Sequence, residues 1–223
     1  MILINIMKAF PFVLLLSWNS TSNGFSASPS QSTLWELLGS VQKSIFSGET
    51  KLKSPLEERR ETLKTTLLSQ ISQKTVSREQ VEELISELAD LSPIQNTAAS
   101  PILQTKWLLA WTTEKEINFF LDWKLSQQIS QTINSPLLEN DIPFLRGGSF
   151  GVSGNLEIPD ISGQRTNFQF TTATLDLGSW GSFSFPPIGE GWFDTIYLDS
   201  SLRVDINSRN DILICVPFPL NKD

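Results

Sequence analysis

RTNFQFTTATLDL, residues 165–177, is the stretch that decides the fold class of this chain. Side chains along it alternate between two faces, with Phe168 and Phe170 on one face and Ala173 and Leu175 on the other. A repeat of two residues is the spacing of a β-strand, in which successive side chains point to opposite faces of the sheet. The stretch therefore predicts a long strand in an antiparallel sheet.

Further strands are predicted on both sides of this segment. They are Lys106–Thr113, Ile117–Trp123, Gln127–Asn134, Ser149–Ile158, Trp180–Phe185, Trp192–Leu198, Ser201–Ile206 and Ile212–Val216. Eight or nine short strands separated by turn-forming residues predict a β-sandwich or a closed barrel. We favour the barrel, because eight strands can enclose one small ligand, whereas a sandwich fills its own interior.

Three amphipathic helices are predicted before the strands. The first covers residues 33–46, the second begins after Ser54, and the third begins after Ser77. Each start carries a capping signal, namely a Ser or Thr followed three residues later by Glu or Gln. The predicted fold class is therefore α+β, with amphipathic helices in residues 34–95 packing on an antiparallel β-barrel in residues 96–223.

The N-terminus has the features of a targeting sequence. Lys8 is the only charged residue of residues 1–24, and the apolar block of residues 9–16 is too short to span a bilayer, which indicates a signal peptide. Residues 25–33 (FSASPSQST) are uncharged and rich in Ser, like a short plastid transit segment. The combination resembles the bipartite presequence of algae with complex plastids, which predicts a plastid location. A plain signal for the secretory pathway is the alternative.

Composition argues against several classes of function. The net charge of −7 disfavours nucleic acid as a partner, since phosphate binding needs clustered Lys and Arg. The chain has no His, which is the commonest general base and metal ligand. Its single cysteine, Cys215, allows no internal disulfide and no Cys-rich zinc site. We therefore predict no catalytic residues, no metal and no cofactor.

Two stretches resemble the plastid lipid-associated protein family, also called fibrillins. Residues 88–113 read LADLSPIQNTAASPILQTKWLLAWTT, with Ser-Pro pairs before a Trp-bearing strand that ends in Thr-Thr. Residues 191–204 read GWFDTIYLDSSLRV, with Gly-Trp and then Tyr-Leu-Asp-x-x-Leu-Arg. The chain departs from the family pattern at Thr105, Trp111, Ile206-Asn207 and Val216-Pro217.

The resemblance implies a lipocalin-like barrel without catalytic activity. It also implies association with thylakoids or plastid lipid globules, and a role with prenylquinones, carotenoids or other lipids. The expected partners are thus a hydrophobic small molecule or lipid and a thylakoid or lipid-globule surface, with a plastid protein as the alternative partner.

Eleven residues are predicted to bind the lipid. They are Trp107, Trp111, Phe119, Trp123, Phe168, Phe170, Phe183, Phe185, Trp192, Tyr197 and Arg203. Packing in the protein core is the alternative role for each aromatic ring. Arg203 lies in a predicted strand close to Asp199 and Asp205, which favours an interior ion pair, with a contact to a lipid head group as the alternative. Neighbouring rings, as in Trp192-Phe193, are expected on opposite faces of the sheet.

Two functions remain open at this stage. The first is a non-enzymatic protein that binds hydrophobic molecules inside the barrel. The second is an interaction protein with a packed barrel that recruits a plastid partner such as a lipid-biosynthetic enzyme. An enzyme acting on hydrophobic substrates is a distant third, because the sequence shows no catalytic constellation.

Overall fold

The computed structural model describes residues 54–73, 76–122, 125–126, 128–159, 163–186 and 189–219. Three α-helices lie in these ranges: α1 (Pro55–Ile71), α2 (Arg78–Asp90) and α3 (Lys115–Asp122). The strands are β1 (Lys106–Thr112), β2 (Ser130–Asn134), β3 (Leu137–Pro143), β4 (Ser149–Glu157), β5 (Arg165–Asp176), β6 (Ser182–Phe185), β7 (Glu190–Leu198), β8 (Arg203–Asn207) and β9 (Ile212–Pro217). Two short 3₁₀ turns, Pro101–Leu103 and Gly178–Trp180, complete the set.

The helix starts lie where the capping signals predict them. Ser54 accepts a hydrogen bond from the Glu57 backbone, and the Glu57 side chain accepts one from the Ser54 backbone. Ser77 and Gln80 form the same reciprocal pair at the start of α2. These two predicted helices are confirmed. The predicted helix at residues 33–46, the signal peptide and the transit segment lie outside the described residues.

All nine strands belong to one antiparallel sheet, in the order β4-β3-β2-β1-β9-β8-β7-β5-β6. Because β4 also pairs with β5, eight of the strands form a closed ring of hydrogen-bonded neighbours. The first half of β5 pairs with β7 and the second half pairs with β6, so β6 continues the sheet beyond the ring. The predicted α+β class is confirmed.

The sheet separates two apolar clusters. The interior cluster lies on the inner face of the ring and includes Trp107, Leu138, Phe150, Phe170, Ala173, Leu175, Phe193 and Leu198. The helix-side cluster lies on the outer face, where α1 and α2 cover β1, β9, β8 and β7, and it includes Leu67, Val81, Leu88, Tyr197, Val204 and Ile214. Helices and strands thus share one apolar layer, and the strands share a second one inside the ring.

One predicted element is wrong and one was missed. Residues 117–123 were predicted to form a strand, but 115–122 form helix α3. Ile117 and Phe120 are three residues apart and both are buried, which is the spacing of one helix face. The missed strand is β3, whose sequence LLENDIP places only Leu138 and Ile142 in the interior cluster and carries three polar residues between them.

Candidate functional site

The inner face of the ring is the candidate site, because it gathers most of the predicted aromatic residues. Trp107 is buried, and Phe170 and Phe168 lie against each other with ring centroids 4.9 Å apart. Phe168 also stacks on Phe193 at 6.4 Å. The three Phe rings meet although they come from two different strands, and together with Trp107 they belong to the apolar interior cluster.

Helix α3 packs into one end of the ring. Ile117 and Phe120 are buried in the interior cluster, and Phe119 packs against it from the side. Phe120 stacks on Phe144, which lies in the β3–β4 loop, with centroids 6.4 Å apart. The side chain of Asn118 donates a hydrogen bond to the Thr112 carbonyl at 3.0 Å and so ties α3 to the end of β1. Helix α3 therefore closes this end of the interior with aromatic side chains.

Strand β6 leaves part of the inner face exposed. Phe183 and Phe185 pair directly with Leu175 and Ala173, two members of the interior cluster. Directly paired residues share one face of a sheet, so both rings stand on the inner face. They are nevertheless 50% and 38% exposed, because β6 pairs with β5 alone. We call the segment from Trp180, which is 72% exposed, to Phe185 the aromatic border.

A polar group lies among the rings of the interior. Arg203 and Asp205 on β8 form an ion pair in which both side chains are 1% exposed. The Arg203 guanidinium also bonds Gln131, and Thr195 donates a hydrogen bond to Asp205 at 2.8 Å. The guanidinium carbon lies 5.7 Å from the Trp107 ring. The interior ion pair that the sequence left open is therefore present.

The motif around Tyr197 has another role on the outer face. Tyr197 lies in the helix-side cluster, and its hydroxyl donates a hydrogen bond to Asp199 at 2.6 Å. Lys64 of α1 donates to the same carboxylate oxygen at 2.7 Å, and the other oxygen accepts from the backbone N–H groups of Ser201 and Leu202. Lys64 and Asp199 thus tie the helices to the β7–β8 turn. The sequence gives no local signal for this role of Lys64.

Burial and neighbouring charges shift the pKa values of Asp199 and Tyr197. Burial pushes the pKa of Asp199 upward, but the charge of Lys64 and the hydrogen bonds outweigh it and hold the pKa below its usual value. Burial and the adjacent Asp199 carboxylate raise the pKa of Tyr197. Asp199 is therefore an ionised structural anchor, and Tyr197 is a neutral hydrogen-bond donor.

Other residues of the two resembling stretches also hold the ring together. Trp107 donates a hydrogen bond from its indole nitrogen to the Leu103 carbonyl at 3.1 Å, so the 3₁₀ turn closes one end of the interior. Thr112 donates to the Ile212 carbonyl at 2.8 Å, which ties β1 to β9. A Cβ on Gly191 would come within 2.9 Å of the Phe168 ring, so the absence of a side chain at this position leaves room for that ring.

Two further predicted site residues lie on the outer face, as Tyr197 does. A bulge between Leu109 and Trp111 shifts the register of β1, and Trp111 pairs with Ile214 and packs on the helix-side cluster. Trp192 lies opposite Phe193 through the sheet, as predicted, and the Arg165 guanidinium covers its ring at 3.7 Å. Trp123 lies outside the described residues. The structure thus brings Trp107, Phe119, Phe168, Phe170 and Arg203 together inside, with Phe183 and Phe185 at the border.

Few groups on the described part of the chain are suited to catalysis. Burial raises the pKa of the Cys215 thiol to about 12, so this cysteine stays protonated at neutral pH. No group of three or more potential metal ligands occurs among the residues with described positions. No helix in the described ranges is both long and apolar enough to cross a bilayer.

Fold and site together define an α+β protein in which an antiparallel sheet surrounds an apolar interior. The sequence model of the PAP_fibrillin family matches residues 50–184, and the chain belongs to this family. It is a family of plastid lipid-associated proteins that are generally structural and non-enzymatic.

A relative supports this assignment. The chain is 32% identical over 149 residues to a protein of Arabidopsis thaliana named probable plastid-lipid-associated protein 11, chloroplastic. The match covers 63% of this chain and 69% of the relative. No solved structure matches the chain.

Proposed function

We propose that this protein binds a hydrophobic small molecule inside the ring of strands, which we interpret as a lipocalin-like barrel. One observation carries the proposal: the aromatic border places Phe183 and Phe185 on the inner face of the sheet and yet leaves them exposed. An apolar surface that continues from the interior to solvent is the form of an entrance for an apolar ligand.

The apolar rings supply enough free energy for such binding. Removing one CH₂ group from water contributes about 0.8 kcal/mol. Ten methylenes would thus contribute about 8 kcal/mol before the costs of ordering the ligand and the protein are subtracted. Affinity therefore needs no polar group, although a polar group would select among ligands.

The ligand class follows from the family and from its relative. Prenylquinones, carotenoids and other plastid lipids are the molecules that we propose, and no catalysis is required of the protein. Two observations support a plastid location: the name of the relative contains the word chloroplastic, and the N-terminus of this chain resembles a transit segment. We place that plastid in an alga with complex plastids, because the presequence resembles a bipartite one.

A lipid surface is the proposed source of the ligand. Trp180, Phe183 and Phe185 project from one short stretch at the open side of β6. Exposed rings so close together favour docking at a thylakoid or lipid-globule surface. Docking at this point would place the entrance against the lipid.

The test compares two variants of the full chain. Phe183→Ser/Phe185→Ser removes the border rings, and Leu137→Ser removes another exposed apolar side chain, which lies next to the β2–β3 turn. Decylbenzoquinone is titrated into each protein, and binding is followed by the quenching of Trp fluorescence. The wild type and the Leu137 variant should bind it with the same affinity. The double variant should bind at least several-fold more weakly or more slowly.

Other results would favour the alternative function. If no hydrophobic probe and no lipid vesicle binds the wild type, the carrier proposal is refuted. A pull-down that then yields one stoichiometric plastid protein and no lipid would support a packed ring that recruits a partner.

A further inference from the structure

Two buried polar atoms beside Phe193 lack a hydrogen-bond partner among the described residues. They are Nη1 of Arg203 and Oγ1 of Thr166. Thr166 pairs with Phe193 across neighbouring strands, and the Arg203 guanidinium carbon lies 5.4 Å from the same ring. An unpaired buried donor loses its hydration without compensation, so such atoms are rare in folded proteins. Their occurrence around one ring marks a polar spot in an apolar interior.

The remaining donors of Arg203 are already engaged. Nε and Nη2 bond Asp205, and Nη2 also bonds Gln131. Asp205 neutralises the charge of the guanidinium, since both side chains are buried in contact with each other. What remains is a neutral pair whose Nη1 amino group, with its two N–H donors, has no partner among the described residues and whose guanidinium lies near the rings of Trp107 and Phe193.

We propose that Nη1 of Arg203 donates a hydrogen bond to a neutral oxygen acceptor, such as a carbonyl, at the polar end of the bound lipid. This inference rests on the proposed function and adds a selectivity to it. A carboxylate is disfavoured, because it would be a second buried anion beside a guanidinium that Asp205 has already neutralised. The site therefore selects ketones, quinones and related neutral lipids over free fatty acids.

The position of this spot sets the orientation of the ligand. Thr166 is near the start of β5, and Ala173, which pairs with Phe185 of the aromatic border, lies seven residues further on. Seven strand residues span about 23 Å. The polar end of the lipid therefore lies deep in the ring and its apolar chain points toward the border.

The test uses matched probes on the full chain. The probes are 2-tridecanone, tridecane and dodecanoate, each measured by competition with a fluorescent apolar probe. The variants are Arg203→Met/Asp205→Leu, which removes the interior pair, and Arg203→Lys, which keeps the charge opposite Asp205 but removes Nη1. The control is Arg165→Met/Asp194→Leu, which removes a bidentate pair on the outer face of the same sheet.

The expected readout is a ratio of affinities. In both Arg203 variants, the affinity for tridecanone should fall by about 10-fold or more relative to the affinity for tridecane, which is equivalent to about 1.4 kcal/mol. The ratio should not change in the control. Bound tridecanone should also show a carbonyl stretch at lower wavenumber in the wild type than in the Arg203 variants. Dodecanoate should compete more weakly than tridecanone.

The outcomes separate the two proposals. If the wild type binds tridecane and tridecanone but the ratio and the carbonyl stretch are unchanged in the variants, the polar spot holds only water and this inference is overturned. Tighter binding of dodecanoate than of tridecanone would overturn it as well. If no probe binds the wild type, the proposed function itself has failed.

Discussion

Replacing Lys64 by Met should detach the helices from the sheet, and the structure allows the loss to be estimated. Lys64 is 3% exposed, and its ammonium group lies 2.7 Å from Asp199 and 3.0 Å from Glu61. Removing one partner of a buried ion pair costs about 3–5 kcal/mol, because the other charge stays buried without compensation. Asp199 keeps its bonds from Tyr197 and the turn, so we expect about 3 kcal/mol, the lower end of that range.

The control for this experiment is Arg59→Met on the same helix. Arg59 pairs with Glu87, but both side chains are well exposed, at 63% and 42%. Exposed pairs contribute less than about 1 kcal/mol, because water screens them. Urea unfolding at pH 7, followed by circular dichroism, should therefore show a much larger loss for Lys64→Met than for Arg59→Met.

The pH dependence provides a second readout. Because the pKa of Asp199 in the folded protein lies below its usual value of 3.8, the ion pair stabilises the fold fully above that pH. The contribution disappears as the pH falls through the lowered pKa of the folded state. The difference in stability between wild type and Lys64→Met should thus shrink below about pH 4. Equal losses for the Lys64 and Arg59 variants at pH 7 would refute the proposed tie.

Two further predictions concern the ring. Gly154→Ala should destabilise the protein by about 2 kcal/mol in thermal unfolding, because its Cβ would lie 2.2 Å from the Gln169 carbonyl oxygen. Gly151→Ala is the control and should change stability little, because its Cβ would meet only the Asn140 carbonyl oxygen, at 3.9 Å. Cys215 should resist a thiol reagent at pH 8 until the protein is unfolded, since it is buried and its pKa is about 12; reaction of the native protein at the rate of a free thiol would contradict its placement.

The exposed rings of the aromatic border are unusual for a protein surface. A soluble protein rarely gathers several large rings on one short exposed strand, because they favour aggregation. Phe183 and Phe185 lie on strand β6 at the open edge of the sheet, and Trp180 lies in the 3₁₀ turn just before it. A protein that works at a lipid surface gains from this arrangement, since the rings contact lipid when the protein is docked.

Local signals in the sequence predicted the helix starts and most of the strands. Ser54 and Ser77 cap their helices through residues only three positions away. The alternation in residues 165–177 predicted strand β5 but not its faces, because a shift of register opposite Ser153 and Gly154 brings Phe168, Phe170, Ala173 and Leu175 to the same inner face. The match to the family model covers the first of the two resembling stretches, residues 88–113, whereas the second, residues 191–204, lies beyond the matched residues 50–184. Helix α3 was predicted wrongly because Ile117, Phe119 and Phe120 fit a short apolar strand as well as a helix.

The sequence alone determined that this chain forms capped helices followed by an antiparallel sheet with an unusual supply of aromatic side chains, because these properties depend on neighbours a few residues apart. Only the tertiary structure decided which rings face inward. The bulge in β1 moves Trp111 to the outer face, and Lys64 meets Asp199 across 135 residues of chain. Such features depend on how distant strands and helices align when the ring closes, and a sequence pattern confined to one segment does not contain that alignment.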